Sequence, residues 1–185
     1  MKVVVIDVET TSLERTLEDG VVHIGATEID TDLMDTTGDS YQNVCKPVFD
    51  RTLIEDAWIF EHGELTIDQV MEGPFHSVVA AEFEKWLNGR QWTAYNLAFE
   101  EKFLCDNPWN LPRSNLECIM LAATPVCRIP GYDGDTYKWP KLKEAWRVPI
   151  GEPYPSVWHS ALQDASAAAM ILLKLIESGD YQIPS

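Results

Sequence analysis

The pattern of apolar and polar residues changes along the chain and predicts strands first and helices later. An apolar run at residues 2–9 is typical of a buried central strand. A β-branched start followed by alternation at 21–30 predicts a second strand, and residues 41–48 predict a third. The connection at 10–20 is rich in turn-forming residues, which favours antiparallel pairing of the first two strands. These segments predict a β-meander.

Helical spacing dominates the second half of the chain. Residues 77–89 carry apolar side chains on one side, start at a serine that could cap a helix, and stop at Asn-Gly. Residues 91–96 predict a short buried strand, whereas 97–106 and 138–146 predict short helices. The strongest helical segment is the alanine-rich stretch at 160–179, which ends at a glycine. The expected fold is a mixed α/β sheet, an antiparallel meander plus parallel strands, flanked by helices.

Length and composition narrow the class of protein. A chain of 185 residues with 45% hydrophobic residues fits one globular domain spanning 1–185. No apolar stretch is long enough to cross a membrane and the four cysteines lack CxxC spacing, so we expect a cytoplasmic protein with reduced thiols. The formal net charge of −16 counts against binding of a long duplex, although bound divalent cations could still hold the end of one strand.

Two carboxylates lie at the end of the most apolar predicted strand. Asp7 and Glu9 are separated by one residue, so on a strand both side chains point to the same face. One interpretation is that a cation neutralises this pair, and oxygen ligands of this type suit Mg²⁺ or Mn²⁺. The other interpretation is that the strand ends at Ile6 and leaves both acids in a solvated loop. Residues 3–13 alone favour neither interpretation.

Two later segments combine with this strand end to form a set of motifs. The first segment, YNLAFEEKF, contains Asn96, Phe99, Glu100 and Phe103. The second, HSALQDA, contains His159, Ala161 and Asp164. Together with VIDVETTSL near the start of the chain, their order and spacing resemble the three motifs of the DEDDh 3′–5′ exonucleases, the superfamily of the polymerase proofreading subunits. The segments between the motifs are most similar to its small exonuclease X group.

The resemblance covers nearly the whole chain and implies an RNase H-like fold. It implies hydrolysis of phosphodiester bonds at the 3′ end of single-stranded nucleic acid, with DNA favoured over RNA and nucleoside 5′-monophosphates as products. Two divalent cations, Mg²⁺ or Mn²⁺, would activate water and stabilise the departing 3′-oxygen. A homodimer, or a partner that acts in replication or repair such as a polymerase, is left open by the resemblance.

The resemblance also implies a role for each acidic residue of the motifs. Asp7 would bridge both cations. Glu9 and Asp164 would complete the first cation site, and Glu100 would support the second. His159 would be the general base, because an imidazole with an ordinary pKa of about 6.5 can accept a proton at neutral pH. Structural alternatives exist for the last helix, since Asp164 could favour the helix dipole and His159 could be a packed imidazole. We prefer the functional roles, because Asp7 and Glu9 need a third carboxylate and the spacing from His159 to Asp164 matches the motif.

Four further residues would bind substrate in this interpretation. The backbone N–H of Thr10 would contact the terminal nucleotide, and Leu13 would wedge against the last base. The remaining two belong to the second motif and are Asn96 and Phe99. Thr and Leu at these positions also have ordinary structural uses.

One position departs from the family pattern. The second-motif acid is ordinarily Asp, and here it is Glu100, which has one more methylene. The longer side chain could fill the role with a modest shift, weaken the second cation or favour Mn²⁺, and Glu100 and Glu101 could also be solvated helix acids. A weak or inactive nucleic-acid-binding or scaffold module with this fold is therefore an alternative. A less favoured alternative is a haloacid-dehalogenase-like phosphatase, because VIDVET also resembles its Asp-x-Asp-Thr strand.

Overall fold

The computed structural model describes residues 1–13, 20–48, 51–63, 65–132, 136–152, 154 and 160–184. Within these residues the strands are β1 (Lys2–Thr10), β2 (Val21–Asp30), β3 (Asp35–Val44) and β4 (Gln91–Ala94). They form one sheet in the spatial order β3-β2-β1-β4. The pairs β1–β2 and β2–β3 are antiparallel, and β1–β4 is parallel. The predicted meander and the predicted parallel pairing are both confirmed.

Helices occupy much of the remaining described chain. They are α1 (Arg51–Ile54), α2 (Trp58–His62), α3 (Ile67–Glu72), α4 (His76–Leu87), α5 (Leu97–Leu104), α6 (Ile119–Cys127), α7 (Leu142–Arg147) and α8 (Ala161–Ser178). The sequence predicted α4, α5, α7 and α8. It did not predict α1 to α3 or α6, because most of these helices are too short to show a clear helical period.

The central strand β1 is buried on both faces, which explains its continuous apolar run. On one face Val4 and Ile6 pack in a cluster that includes Phe83 of α4. On the other face Val3 and Val5 pack with residues of α6, α7 and α8. Successive residues of a strand point to opposite faces, so a run of consecutive valines can serve two cores. The result is a sheet flanked by helices, as the sequence predicted.

The strand boundaries differ from the predictions at several places, and the strand predicted at 91–96 ends at Ala94. The third strand was predicted at 41–48, but β3 begins at Asp35 and ends at Val44. Its first six residues are exposed and polar, and the strand lies at the edge of the sheet, so no apolar alternation reveals it. The interpretation in which the first strand ends at Ile6 is wrong, because β1 continues through Thr10.

The helix boundaries also correct the predictions. The helix predicted at 77–89 begins at His76 without a side-chain cap, so the predicted serine cap is wrong. The helix predicted at 138–146 begins only at Leu142. Pro140 accounts for part of this delay, because it disfavours the helical region for Trp139, the residue before it.

The last helix, α8, agrees with its prediction. Its N-cap residue is Ser160 and it ends at Gly179, which has the left-handed φ of 83° that favours glycine. The helix packs along β2 and β1 through its alanine-rich side. No helix among the described residues combines the length and apolarity needed to span a bilayer.

Candidate active site

The parallel strands β1 and β4 end at one edge of the sheet, where the candidate site lies. Ile6 pairs with Ala94 at the end of their shared register, so Asp7 and the residues after Ala94 leave this pairing side by side. Helix α5 begins at Leu97 and carries Glu100 in its first turn. Residues beyond the carboxyl ends of parallel strands commonly form binding sites in open sheets.

The alternation of β1 directs Asp7 and Glu9 to the face on which α8 packs. Both residues continue the odd-numbered row of buried valines that contacts this helix. Gly25 of β2 lies opposite Asp7, and a Cβ at Gly25 would lie only 2.0 Å from the backbone nitrogen of Leu162. The absence of a side chain at Gly25 therefore allows the first turn of α8 to approach the sheet.

Asp164, in this first turn of α8, completes a cluster of three carboxylates with Asp7 and Glu9. One oxygen atom of each side chain lies within 4.8 Å of the other two, and all three side chains are half-buried. Glu100 is 3% exposed, and its Oε2 has no hydrogen-bond partner among the described residues. The structure thus brings the three acids Asp7, Glu9 and Asp164 together and buries the fourth predicted acid beside them.

Glu100 and its neighbour Glu101 have different environments. Oxygen Oε2 of Glu101 accepts a hydrogen bond of 2.7 Å from Arg113, and Oε1 accepts one of 2.9 Å from the backbone of Ser114. Glu100 is buried instead, and its charge is one of the causes that raise the pKa of Asp7. The interpretation of both residues as solvated helix acids is therefore wrong.

Burial and mutual repulsion raise the pKa values of these acids. The pKa of Asp7 lies well above its usual value, chiefly because of burial and then because of the charges of Glu100, Glu9 and Asp164. Burial, followed by the charge of Asp164, raises the pKa of Glu9 to about 8. Burial is also the main cause that raises the pKa of Glu100 to about 8. A divalent cation would favour the ionised form of each acid, and an all-oxygen ligand set suits Mg²⁺ or Mn²⁺.

The predicted general base, His159, lies outside the described residues. The described chain resumes at Ser160, the N-cap residue of α8. The position of the imidazole relative to the carboxylates therefore stays a prediction.

A second histidine, which the sequence analysis did not single out, supports the site from β2. His23 lies opposite Glu9 in the β1–β2 ladder and is 8% exposed. Its Nδ1 accepts a hydrogen bond of 3.4 Å from the backbone N–H of Ala161. Burial lowers the pKa of His23 to about 4, so the ring is neutral at neutral pH. Its position two residues before Gly25, on the same face of β2, was the available signal.

Tyr154 is another residue that the sequence analysis missed. Its hydroxyl donates a hydrogen bond of 3.2 Å to Oδ1 of Asp164. The ring packs edge-on against Trp146 of α7, with 5.8 Å between the ring centroids. Burial and the charge of Asp164 raise the pKa of Tyr154, which keeps the hydroxyl protonated as a donor. No local sequence motif indicates the contact between Tyr154 and Asp164, because it depends on how α7 and α8 pack.

A cleft of about 460 Å³ opens beside Glu9. It is lined by residues 8–13, by Phe99 of α5, and by Trp58 and Ile59 of α2. Three predicted substrate-binding residues, Thr10, Leu13 and Phe99, are thus brought together. Trp58 was not predicted, and its side chain is 61% exposed and stacks on His62 with 4.6 Å between the ring centroids.

The fourth predicted substrate-binding residue, Asn96, does not line this cleft. It is the exposed N-cap residue of α5, and its side chain makes no capping hydrogen bond. The cleft loop is tied to α5 by Lys102, whose Nζ donates a hydrogen bond of 2.9 Å to the backbone oxygen of Leu13. The register of β1 shifts between Glu9 and Thr10, where the chain leaves the face that carries the carboxylates and enters this loop.

Comparisons with known proteins agree with this geometry. The profile of the Exonuclease family (RNase_T) matches residues 4–172. This match decides against the haloacid-dehalogenase-like alternative. None of the curated protein sequences compared with the chain matched it.

Solved structures provide a second comparison. The nuclease domain of 3′hExo, a DEDDh family member bound to rAMP, superimposes with a TM-score of 0.73 and 18% identity, covering 100% of this chain and 96% of that domain. Cell-death related nuclease 4 (CRN-4) gives 0.71 and 16%, covering 96% and 64%. The metal-free ExoI–ssDNA complex of E. coli gives 0.62 and 13%, covering 95% and 40%. At such identities the likeness establishes the RNase H-like exonuclease fold.

Proposed function

The chain belongs to the Exonuclease family, and from this premise we propose that it is a metal-dependent 3′–5′ exonuclease. Its substrate is the 3′ end of single-stranded nucleic acid, and its products are nucleoside 5′-monophosphates. The observation that carries this proposal is the cluster of Asp7, Glu9 and Asp164 beside the buried Glu100, at the edge of an apolar cleft.

These carboxylates fit a pair of divalent cations. Asp7, Glu9 and Asp164 would hold one cation, and Asp7 with Glu100 would hold the other. The unpaired Oε2 of Glu100 supports this assignment, since a buried carboxylate oxygen without a partner is costly unless a cation meets it. When bound, the cations supply an acidified water and charge stabilisation for the departing 3′-oxygen.

The cleft provides the place for the terminal nucleotide. The backbone N–H of Thr10 would hold this nucleotide, while Leu13 and Phe99 would contact its base. Asn96, at the N-cap of α5, would contact the strand outside the cleft. The support for this assignment is the position of the lining residues directly beside Glu9. The neighbours 3′hExo and ExoI carry rAMP and ssDNA, respectively.

His159 would accept the proton of the attacking water. The water oxygen then forms a bond to phosphorus, the bond between phosphorus and the 3′-oxygen breaks, and this oxygen takes a proton from solvent. An imidazole suits this step because its ordinary pKa of about 6.5 lies near neutral pH. His23 would be a weaker base than His159 at neutral pH, because burial lowers the pKa of His23 to about 4.

We favour DNA over RNA as substrate, and a contact to the 2′-hydroxyl is the feature that would separate the two. The net charge of −16 supports recognition of a strand end rather than of a long duplex. A homodimer or a partner in replication or repair is compatible with this function.

The test uses a 5′-labelled single-stranded DNA of about 20 nucleotides and its RNA counterpart, each with Mg²⁺, Mn²⁺ or chelator. We expect a ladder that shortens from the 3′ end, requires the cation and disappears in Asp7→Asn. Asp35→Asn, an exposed acid on the outer strand β3, is the matched control and should remain active. Metal-independent binding without shortening would instead identify a non-hydrolytic module.

A further inference from the structure

The positive charges of this acidic chain are concentrated in one segment. Residues 128–147 contain five of the 14 Lys and Arg residues but only three of the 30 Asp and Glu residues. Among the described residues, three of the five exposed large aromatic side chains also lie here. They are Tyr132, Tyr137 and Trp139.

Within this segment, we call residues 128–132 and 136–143 the basic turn. Its two arms are joined by an antiparallel bridge between Pro130 and Tyr137, and the backbone N–H of Lys138 donates a hydrogen bond of 3.0 Å to Ile129. Lys138 turns toward α7 and pairs with Glu144 at 2.7 Å. The two residues beside Lys138 are exposed instead: Tyr137 is 48% exposed and Trp139 is 66% exposed.

The basic turn is anchored at the active edge of the sheet. The hydroxyl of Tyr95, the residue after β4, donates a hydrogen bond of 2.7 Å to the backbone oxygen of Pro140. A second set of contacts leads from α7 to the carboxylates. Trp146 of α7 packs edge-on against Tyr154, and the Tyr154 hydroxyl donates a hydrogen bond to Asp164. These contacts tie the basic turn to the chain that follows β4 and to Asp164, and none of its described residues lines the terminal-nucleotide cleft.

We propose that the basic turn is a second nucleic-acid-binding surface that grips single-stranded substrate on the 5′ side of the scissile bond. Exposed aromatic rings stack on bases of any sequence, and nearby positively charged side chains contact the phosphates. These charges come from the exposed side chains of Arg128, Lys141 and Lys143. The chain as a whole has a net charge of −16 and repels phosphate groups, whereas the positive charges of this segment attract them. The inference rests on the proposed exonuclease function and adds the part of the substrate beyond its last nucleotide.

The first test compares a long and a short substrate. Two double variants remove the surface: Tyr137→Ala with Trp139→Ala, and Lys141→Ala with Lys143→Ala. For a thymidine oligonucleotide of about 20 residues, we expect kcat/KM to fall about tenfold in each variant. For a thymidine dinucleotide, which has only one nucleotide on the 5′ side of the scissile bond, kcat/KM should change less than about twofold. Lys85→Ala and Leu33→Ala, exposed positions elsewhere, are the matched controls.

Equal losses on both substrates would overturn the inference, because they would mean that the turn only supports the active site. Unchanged kinetics on both substrates would overturn it as well. Melting temperatures of the variants within about 2 °C of the parent would confirm that the exposed substitutions leave the fold intact.

The second test separates this inference from the proposed function. Binding of a fluorescein-labelled thymidine 20-mer is measured by anisotropy in chelator, where no hydrolysis occurs. We expect both double variants to bind about tenfold more weakly. The lysine variant should also lower the slope of log affinity against log salt by about 1.4, because two phosphate contacts are lost. Weaker binding in a protein without nuclease activity would support the surface and sink only the hydrolytic proposal. Parent-like binding, or no binding by the parent protein, would overturn the inference.

Discussion

The hydroxyl group of Tyr154 donates a hydrogen bond of 3.2 Å to Oδ1 of Asp164, so a side chain beside α7 orients a carboxylate of α8. We expect Tyr154→Phe to raise the cation concentration for half-maximal activity about 10- to 100-fold, as is usual for partners of metal ligands. The measurement is a cation titration of oligonucleotide shortening. Tyr181→Phe is the control, because the Tyr181 hydroxyl bonds to the backbone of Glu117 instead. An unchanged cation requirement in Tyr154→Phe would show that Asp164 is oriented by other contacts.

Gly25 provides a test of how α8 is positioned. In Gly25→Ala the new methyl group would meet the backbone of Leu162, which cannot yield as a flexible side chain can. We expect the substitution to lower the free energy of unfolding by about 3 kcal/mol and to abolish activity. Chemical denaturation gives the first quantity. Gly38→Ala, which has open space but a φ of +82°, should cost only about 1–2 kcal/mol and retain activity. Similar costs in the two variants would contradict close packing of α8 on Gly25.

The raised pKa values predict an unusual dependence of stability on pH. Glu9 and Glu100 have folded-state pKa values of about 8, against an ordinary value of 4.5. Between these values the folded chain binds more protons than the unfolded chain, so stability is greatest below about pH 4.5 for these groups and falls as pH rises through 8. Without cations, we expect the melting temperature to fall between pH 6 and 9. Mg²⁺ or Mn²⁺ should reverse much of this loss, because the ionised acids then have a partner. A melting temperature that does not change with pH in the presence of chelator would contradict the raised pKa values of Glu9 and Glu100.

Glu100 tests whether the longer acid is a cation ligand. Glu100→Gln keeps the size of the side chain but removes the charge, so we expect activity to fall at least about a hundredfold. Glu100→Asp shortens the side chain by one methylene and should retain a larger part of the activity, with a changed ratio between Mg²⁺ and Mn²⁺. Initial rates with each cation measure both effects. Glu84→Gln, on the exposed side of α4, serves as the control. Full activity in Glu100→Gln would remove this residue from the mechanism.

Trp58 tests the cleft as a base-binding site. Its ring lines the cleft and is 61% exposed, so it is available to stack on a base. Trp58→Ala should raise KM about tenfold with little change in kcat, because a stacked base is worth about 1–3 kcal/mol. Steady-state kinetics on a short oligonucleotide separate the two constants. Phe75→Ala changes an exposed aromatic residue outside the cleft lining and should leave KM unchanged. A fall in kcat alone would indicate that Trp58 acts on the chemistry and does not bind the base.

Much of the sheet was predictable because its buried strands have strong apolar patterns. β1 and β2 are covered by helices, and the sequence shows this burial directly. β3 was only partly predictable, since its first half is polar and pairs through its backbone on one side alone. Backbone pairing leaves little trace in side-chain composition at an exposed edge.

The site divides in the same way. Asp7, Glu9 and Asp164 belong to motifs, and the structure brings them within 4.8 Å of one another. Tyr154 reaches the site through packing between elements distant in sequence, so no local spacing could identify it. For His23 the available signal was its place two residues before Gly25, on the same face of β2. His159 remains a prediction from its motif alone.

The contact between Gly25 and α8 also determines the stage of folding at which the carboxylate cluster can form. Asp7 and Gly25 belong to the first hairpin of the sheet, whereas Asp164 is carried by the last helix of the described chain. A hairpin forms within microseconds, but contacts between distant parts of a chain form slowly because a long loop must close first. A chain that has formed only its first strands holds two repelling acids and no third ligand. The proposed cleavage of nucleic acid therefore requires the fully assembled chain, because half-folded molecules lack the third carboxylate of the cluster.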